Sequence, residues 1–166
     1  MIEIHERFAV PSEPRRVWGV ISDPREVVGC VPGASLGEEQ EDGSFDASVA
    51  VRFGPVKVTF RCQVTLDLDD AAMLGRVSAR GKDNQGGTRL SAKATFEVRG
   101  QGERGSTVAI NGEVELSGKL AGLIEGGASV VVNRMSREFA ANLAQRCAGM
   151  TATTAEITPT KEGDAG

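Results

Sequence analysis

Residues 45–70 read FDASVAVRFGPVKVTFRCQVTLDLDD. Apolar and polar side chains alternate on both sides of Gly54-Pro55, which is typical of two half-buried strands joined by a turn. The alternation continues through residues 73–80, 90–98 and 108–116, and the turn-forming residues 81–87 are expected to form a loop. Alternation over several long, successive strands predicts one antiparallel sheet with a buried face and a wet face, connected as an up-down meander.

Helical segments are predicted before and after these strands in the sequence. A first strand covers residues 2–10, and two short helices follow it, with Ser12 and Asp23 as their expected capping residues. Residues 123–147 change to helical spacing, with an apolar face about 100° wide that suits a helix covering a sheet. The fold class is therefore α+β: a curved antiparallel sheet of about seven strands, two short helices after strand 1, and a long C-terminal helix packed across the sheet over an apolar cavity.

Composition indicates one globular domain. The chain has 166 residues, 40% hydrophobic and 25% charged. We assign residues 1–148 to the domain and expect residues 149–166 to form a disordered polar tail. The net charge of −4, without a basic stripe, argues against a nucleic-acid partner. The absence of a signal peptide or an apolar span, together with three widely spaced cysteines, favours the reducing cytoplasm.

Two motif matches are better explained by structure than by catalysis. Gly33-Ala34-Ser35-Leu36-Gly37 matches a nucleophile elbow, but it lies between a short helix and the start of a strand, and His5 is the only histidine available as a base. Residues 100–105 match the dinucleotide-binding pattern, but they join two strands, so no helix begins there to bind a pyrophosphate. With neither a second histidine nor paired cysteines, no metal site is predicted.

Glycine spacing leaves two interpretations open at the start of the C-terminal helix. Gly118, Gly122 and Gly126 are four residues apart. They either have a structural role, as a close approach of the helix start to the sheet or a soft hinge, or form a mobile portal to a cavity, because glycine supports both.

Small side chains dominate the predicted inner face of the sheet. A curved sheet of long strands under one helix encloses more volume than such side chains fill, and an apolar ligand would occupy that volume without a polar penalty. The alternative is a close-packed core in which alanine lies where the helix approaches. The residues alone do not favour either.

The order of elements resembles the START-like helix-grip superfamily (SRPBCC), and within it the chain is similar to the family of the G subunit of carbon monoxide dehydrogenase. The resemblance covers residues 1 to about 148. The matching stretches are Trp18 with Asp23-Pro24, Cys30-Val31-Pro32-Gly33-Ala34, Arg52-Phe53-Gly54-Pro55-Val56, Gly81-Lys82-Asp83, Gly118-Lys119-Leu120-Ala121, and Phe139.

This resemblance implies a non-catalytic accessory protein of a molybdenum carbon monoxide dehydrogenase, without a covalent cofactor or metal of its own. Combined with the apolar cavity, it implies that the protein takes menaquinone or ubiquinone from the membrane and presents it to the dehydrogenase. The expected location is cytoplasmic, at the inner face of the cell membrane. The polar tail suits transient membrane contact better than stable anchoring.

The residues expected to bind the quinone are mostly apolar and belong to the predicted sheet and helices. They are Trp18, Val49, Val51, Phe53, Val58, Phe60, Cys62, Phe96, Val114, Leu116, Leu123, Val131, Met135 and Phe139. The residues expected at the portal or against a partner are Pro32, Gly33, Gly54, Pro55, Gly122 and Gly126.

Two alternatives remain at this stage. One is an enzyme of the polyketide cyclase type acting on an apolar substrate, which needs polar groups inside the cavity. Alternation places the candidates for this role mostly outward, namely Arg52, Arg61, Arg76, Arg80 and Glu115. The other alternative is a structural assembly factor for a molybdenum hydroxylase, which needs no ligand cavity.

Overall fold

The computed structural model describes residues 1–85, 87–102 and 105–155. The strands and helices follow in the order β1 Ile2–Val10, α1 Pro14–Ile21, α2 Pro24–Val27, a 3-10 turn Val28–Cys30, β2 Ala34–Glu39, β3 Phe45–Phe53, β4 Val56–Asp69, β5 Leu74–Asp83, β6 Thr88–Gln101, β7 Gly105–Gly118 and α3 Ala121–Ala155.

The seven described strands form one antiparallel sheet in the order β1-β7-β6-β5-β4-β3-β2. Strands β2 to β7 are therefore a continuous meander, and β1 joins the sheet beside β7 with Ile2 opposite Val114. Since α3 contacts β1, β3 and β7, the long helix lies across the sheet. The predicted α+β fold class and the meander are confirmed.

Two hydrophobic clusters pack between the helices and the sheet. The first cluster joins α1 and the C-terminal half of α3 to the ends of β6 and β7, with Trp18 and Leu143 among its buried members. The second joins the N-terminal half of α3 to β3 and β4, through Phe53, Phe60 and Val131. The core thus lies in two separate places along the helix.

The short helices begin for different local reasons. Asp23 caps α2 as expected, because its side chain accepts a hydrogen bond from the Arg25 backbone N–H at 3.0 Å. The expected cap at Ser12 is wrong: Glu13 precedes α1 and makes no side-chain capping bond. Ser12 is buried instead, and its carbonyl accepts a hydrogen bond from the Ser106 hydroxyl.

Two predicted boundaries need correction. Residues 81–83 continue β5 rather than starting a loop, because Gly81 lies in register between Cys62 and Leu90, and a side chain at Gly81 would collide with the Arg61 carbonyl. The helix α3 continues to Ala155, beyond the predicted domain end at 148. The rest of the predicted tail, residues 156–166, lies outside the described residues.

Candidate ligand site between the helix and the sheet

The middle of the inner sheet face is apolar but not fully covered. Two neighbouring rows of the register cross the sheet there, one through Val64, Ala79, Ala92 and Val114, and the next through Val77 and Ala94. We call these six positions the central gap. All of them are half-buried, and none belongs to either hydrophobic cluster. These six side chains are therefore only partly covered by the rest of the described structure.

Aromatic pairs close the central gap at the end formed by the first cluster. The rings of Trp18 and Phe96 are 5.7 Å apart between centroids, and the Trp18 indole N–H donates to the Asp70 carboxylate at 2.8 Å. Phe8 and Phe139 meet edge to face with centroids 6.0 Å apart. The aromatic rings at this end are thus packed against each other, and the buried indole N–H has a hydrogen-bond partner, as buried tryptophan side chains usually do.

A smaller cavity of about 250 Å³ opens at the β3 edge, between the loop after the 3-10 turn and α3. Val51 and Met135 line this edge cavity and also pack against the second cluster, so the edge cavity borders the inner face. The loop is fixed to β3, because the Ala50 backbone N–H donates to the Gly33 carbonyl at 2.9 Å. Gly33 has a φ of +79°, a conformation that glycine adopts without strain.

The structure divides the predicted ligand-binding residues among three places. Three belong to the first cluster: Trp18, Phe96 and Phe139. Nine belong to the second cluster: Val49, Val51, Phe53, Val58, Phe60, Cys62, Leu116, Val131 and Met135. Val114 lies in the central gap.

Leu123 does not line the cavity. Its side chain is 45% exposed, whereas the neighbouring Ile124 is 3% exposed and belongs to the second cluster. Adjacent residues of a helix point about 100° apart, so the predicted apolar face was one residue out of phase at this end. The correction replaces Leu123 by Ile124.

The predicted portal residues lie near the two ends of the second cluster. Pro32 and Gly33 line the edge cavity, and Gly54 and Pro55 form the exposed β3–β4 turn, with a Gly54 φ of +65°. Gly118 is the last residue of β7 rather than part of the helix, and a side chain there would collide with the Gly87 carbonyl before β6, so its close contact is not one between helix and sheet.

The close-approach interpretation is wrong for the next two glycines of the series. Gly122 and Gly126 are exposed on α3 and have open space where a side chain would lie. Contact with the sheet therefore does not explain these two glycines, while a portal role stays a prediction.

The inward-facing carboxylate of Glu6 was missed at the sequence level. Glu6 is half-buried in the register between Ile4 and Phe8, opposite Ile110. It occupies the one gap in the apolar series at positions 2, 4, 8 and 10, which was the available signal. The five charged side chains weighed for catalysis lie on exposed positions of the strands: Arg52, Arg61, Arg76, Arg80 and Glu115.

Cysteine chemistry is suppressed by burial. Cys62 is half-buried on the inner face, and burial raises the pKa of its thiol. Cys30 and Cys147 are fully buried, and burial is also the main reason why their thiol pKa values are raised. These groups are therefore neutral thiols at neutral pH and poor nucleophiles.

The motif matches contain no catalytic geometry. Ser35 and His5 lie on β2 and β1, the two opposite edge strands of the sheet. The 100–105 pattern lies at the β6–β7 hairpin, with a Gly102 φ of +67°, and its residues 103 and 104 lie outside the described residues. Among the described residues, no group of histidine, cysteine and carboxylate side chains is suited to a metal, and no helix is long and apolar enough to cross a bilayer.

The family model of the G subunit of carbon monoxide dehydrogenase (CoxG) matches residues 7–148. No curated protein sequence matches the chain. Because the family match covers most of the chain, the resemblance seen in the sequence is confirmed.

Solved structures with the same fold have little sequence identity. A conserved protein from Geobacillus kaustophilus has a TM-score of 0.77 at 16% identity, covering 89% of this chain and 96% of that one. The Zhui aromatase/cyclase from Streptomyces sp. R1128 has a TM-score of 0.62 at 13% identity, and the match covers 90% of this chain and 95% of that one. A START superfamily protein from Mycobacterium smegmatis has a TM-score of 0.58 at 12% identity, with 89% and 98% coverage. These similarities show the START-like fold.

Proposed function

The chain belongs to the CoxG family of carbon monoxide dehydrogenase, and we propose that it is a non-catalytic accessory protein that carries an isoprenoid quinone between the membrane and the dehydrogenase. Family membership implies association with carbon monoxide dehydrogenase. The observation that carries the proposal is the central gap, a set of apolar positions between two packed clusters that the described structure covers only in part. Empty apolar space costs stability, and an apolar ligand that fills it recovers that cost.

The side chains of the gap suit a quinone tail better than a polar metabolite. Its six defining positions carry only valine and alanine side chains, which offer contact area without hydrogen bonds. Small side chains on the sheet leave room for the repeated methyl branches of an isoprenoid chain, such as that of menaquinone or ubiquinone. A bound quinone would supply the two-electron acceptor, while this chain's own residues bind and shield its tail.

The edge cavity is the proposed mouth for the ligand. Val51 and Met135 offer apolar contacts there. The charged residues of the opening are three cations and one carboxylate, namely Arg52, Lys57, Arg134 and Glu138, so cations predominate. Cations beside an apolar opening suit transient contact with an anionic membrane surface. Membrane contact at the cytoplasmic face and delivery to the dehydrogenase are parts of this proposal.

Organic extraction and mass spectrometry test the carrier function directly. The protein is purified from a membrane-containing host, extracted and analysed, before and after incubation with quinone-loaded vesicles. A stoichiometric isoprenoid quinone supports the proposal and identifies the ligand. A clean extract after both treatments contradicts it and favours an assembly factor that works through its surface.

Val114→Trp should abolish quinone retention while preserving the fold. The indole would fill the central gap, and overpacking costs about 1–3 kcal/mol at such sites. Glu113→Trp is the matched control, because position 113 is one residue away and exposed on the opposite face. Normal quinone retention by Val114→Trp, with the fold intact by circular dichroism, would place the ligand elsewhere.

Cys62 offers a second readout of the same site. Since Cys30 and Cys147 are fully buried and Cys62 is half-buried on the inner face, alkylation of the native protein should report mainly on Cys62. Bound quinone should slow this alkylation in the wild type and leave it unchanged in Val114→Trp. Equal rates with and without quinone in the wild type would mean that the ligand does not cover Cys62.

Glu6 favours one second candidate function, catalysis on an apolar substrate. A carboxylate on the inner face can act as a general acid or base if a reacting group lies within hydrogen-bond distance. The extraction experiment distinguishes this from carriage, because a carrier returns the quinone unchanged. A new product that disappears in Glu6→Gln would identify an enzyme.

A further inference from the structure

A second groove, of about 700 Å³, lies on the outer face of the sheet and has no role in the function proposed above. Its charged lining is dominated by cations that project from β4, β5 and β6. They are Arg61, Arg80, Lys82 and Arg89. All four are exposed. The whole chain has a net charge of −4, so this basic outer groove carries a local charge opposite in sign to that of the protein as a whole.

The sheet register brings three of these cations side by side. Arg61 lies opposite Lys82, and Lys82 lies opposite Arg89. Neighbouring strands are about 4.8 Å apart, so three positive charges project from one row about 10 Å long. Like charges on directly opposed positions repel each other. An anion bound across the row would relieve that repulsion.

The four cations have one acidic neighbour outside the basic outer groove in the described part of the chain, Glu115, which lines an adjoining groove with Arg80 and Arg89. None of the salt bridges among these residues includes any of the four cations. The groove contains one carboxylate, Asp46, and this accepts a hydrogen bond from Gln40 at 2.9 Å. The four cations are therefore available to an external anion.

The shape of the groove favours a polypeptide over a bilayer. Its lining runs across five strands, from β2 to β6, which corresponds to about 20 Å. Short polar side chains, Ser35, Ser48 and Gln63, lie along it. A flat lipid surface would touch the long cations and miss these short groups. An extended chain of about six residues spans the same length and brings both carboxylates and backbone hydrogen-bonding groups.

We propose that the basic outer groove docks an acidic, extended segment of a partner protein. Arginine supplies three of the four cations, and its planar guanidinium pairs with a carboxylate through two parallel hydrogen bonds. The groove lies on the outer face of the sheet, opposite the central gap. A partner can therefore be held there whether or not the central gap is occupied. The proposal depends on the groove alone and not on the identity of the inner ligand.

Fluorescence anisotropy with a fluorescein-labelled hexaglutamate peptide tests this docking surface. The wild type should bind the peptide, with affinity that falls as salt is added, and should not bind a labelled Gly-Ser hexapeptide. The triple variant Arg61→Gln/Lys82→Gln/Arg89→Gln should lose at least about tenfold in affinity, since three pairs of the exposed kind each contribute modestly.

The matched control is Arg7→Gln/Arg76→Gln/Lys93→Gln. These three cations are exposed on the outer face, lie outside the groove, and give the same change in net charge. The control should lose less than about threefold, and thermal melts of both variants should match the wild type. Equal loss in the two variants would mean diffuse attraction and would overturn the proposal.

Binding to phosphatidylglycerol vesicles tests the alternative that the basic outer groove contacts a membrane. Vesicle binding that is lost in the groove variant, without hexaglutamate binding by the wild type, would assign the groove to a membrane and overturn the proposal. Absence of binding to both probes would also overturn it. Hexaglutamate binding that depends on the groove, with vesicle binding unaffected by the groove variant, is the supporting result.

Discussion

His5 makes hydrogen bonds through both ring nitrogens on the outer face of β1. Nδ1 is 2.9 Å from the Asn111 amide oxygen, and Nε2 is 3.2 Å from a Glu3 carboxylate oxygen. Both oxygens are acceptors, so a protonated ring can donate to both at once. The hydrogen bond to Asn111, followed by that to Glu3, raises the pKa of His5 above its ordinary value.

We expect Asn111→Ala to lower the pKa of His5, because it removes the largest cause of the increase. His5 is the single histidine of the chain, so its ring resonances can be followed by NMR without ambiguity. Its contribution to stability should be present below its unfolded pKa and lost as the pH rises through the elevated folded pKa. Glu3→Gln is the comparison and should also lower the pKa of His5, because it removes the negative charge beside the ring. An unchanged midpoint in Asn111→Ala would contradict the assignment.

Two single residues of the site could have been placed correctly from the sequence. At 100° per residue Ile124 lies within about 20° of Val131 and Met135, whereas Leu123 lies about 80–120° away, so helical spacing already favoured Ile124 for the buried face. In the structure Ile124 is buried in the second cluster. Glu6 was also detectable, because its position falls in the apolar series of β1.

At the level of elements, the alternation of apolar and polar residues was sufficient to predict the strands and their order in the sheet. Local turn chemistry misled at one strand end, since Gly81 and Asp83 are common turn residues. In the structure Asp83 is buried and accepts a hydrogen bond from the Gly87 backbone N–H at 2.8 Å. Register with β4 overrides the local preference there, and such a long-range effect is not visible in a single sequence.

The helix α3 carries two exposed glycines near its start, and their replacement separates stability from ligand exchange. Gly122→Ala/Gly126→Ala should raise the free energy of unfolding by up to about 2 kcal/mol, since each glycine in a helix costs about 1 kcal/mol relative to alanine and nothing lies within 4 Å of either new side chain. If this segment is a mobile portal, the same variant should release quinone more slowly. Urea denaturation and a quinone-transfer assay to empty vesicles measure the two effects.

Gly149→Ala is the control for the portal test. Gly149 lies in the same helix, is exposed, and also has open space around a new side chain, but it lies at the other end of α3, beyond Cys147 of the first cluster. It should raise stability without changing quinone release. Slower release in both variants would trace the effect to helix stability in general, and unchanged release in both would remove the portal role.

For the whole molecule, the two clusters and the gap between them predict an uneven response to core mutations. Leu143 is fully buried in the first cluster, and Leu→Ala substitutions at such sites cost about 2–5 kcal/mol because a cavity is left behind. Val114 faces the same side of the sheet but lies in the central gap, where it is only half-buried. Val114→Ala should therefore cost less than about 1 kcal/mol in the ligand-free protein, since it creates little new cavity.

Urea denaturation of the stripped protein measures both substitutions without reference to any ligand, provided that the m-values agree. Val108→Ala supplies the matched control for residue type, because Val108 is on the same strand and the same face as Val114 but is fully buried in the first cluster. A large loss of unfolding free energy for Val108→Ala and a small loss for Val114→Ala would show that the central gap is less tightly packed than the first cluster. Equal losses at the two valines would mean that the middle is as tightly packed as the ends, and an accessory protein with such a core would have to act through its outer surface.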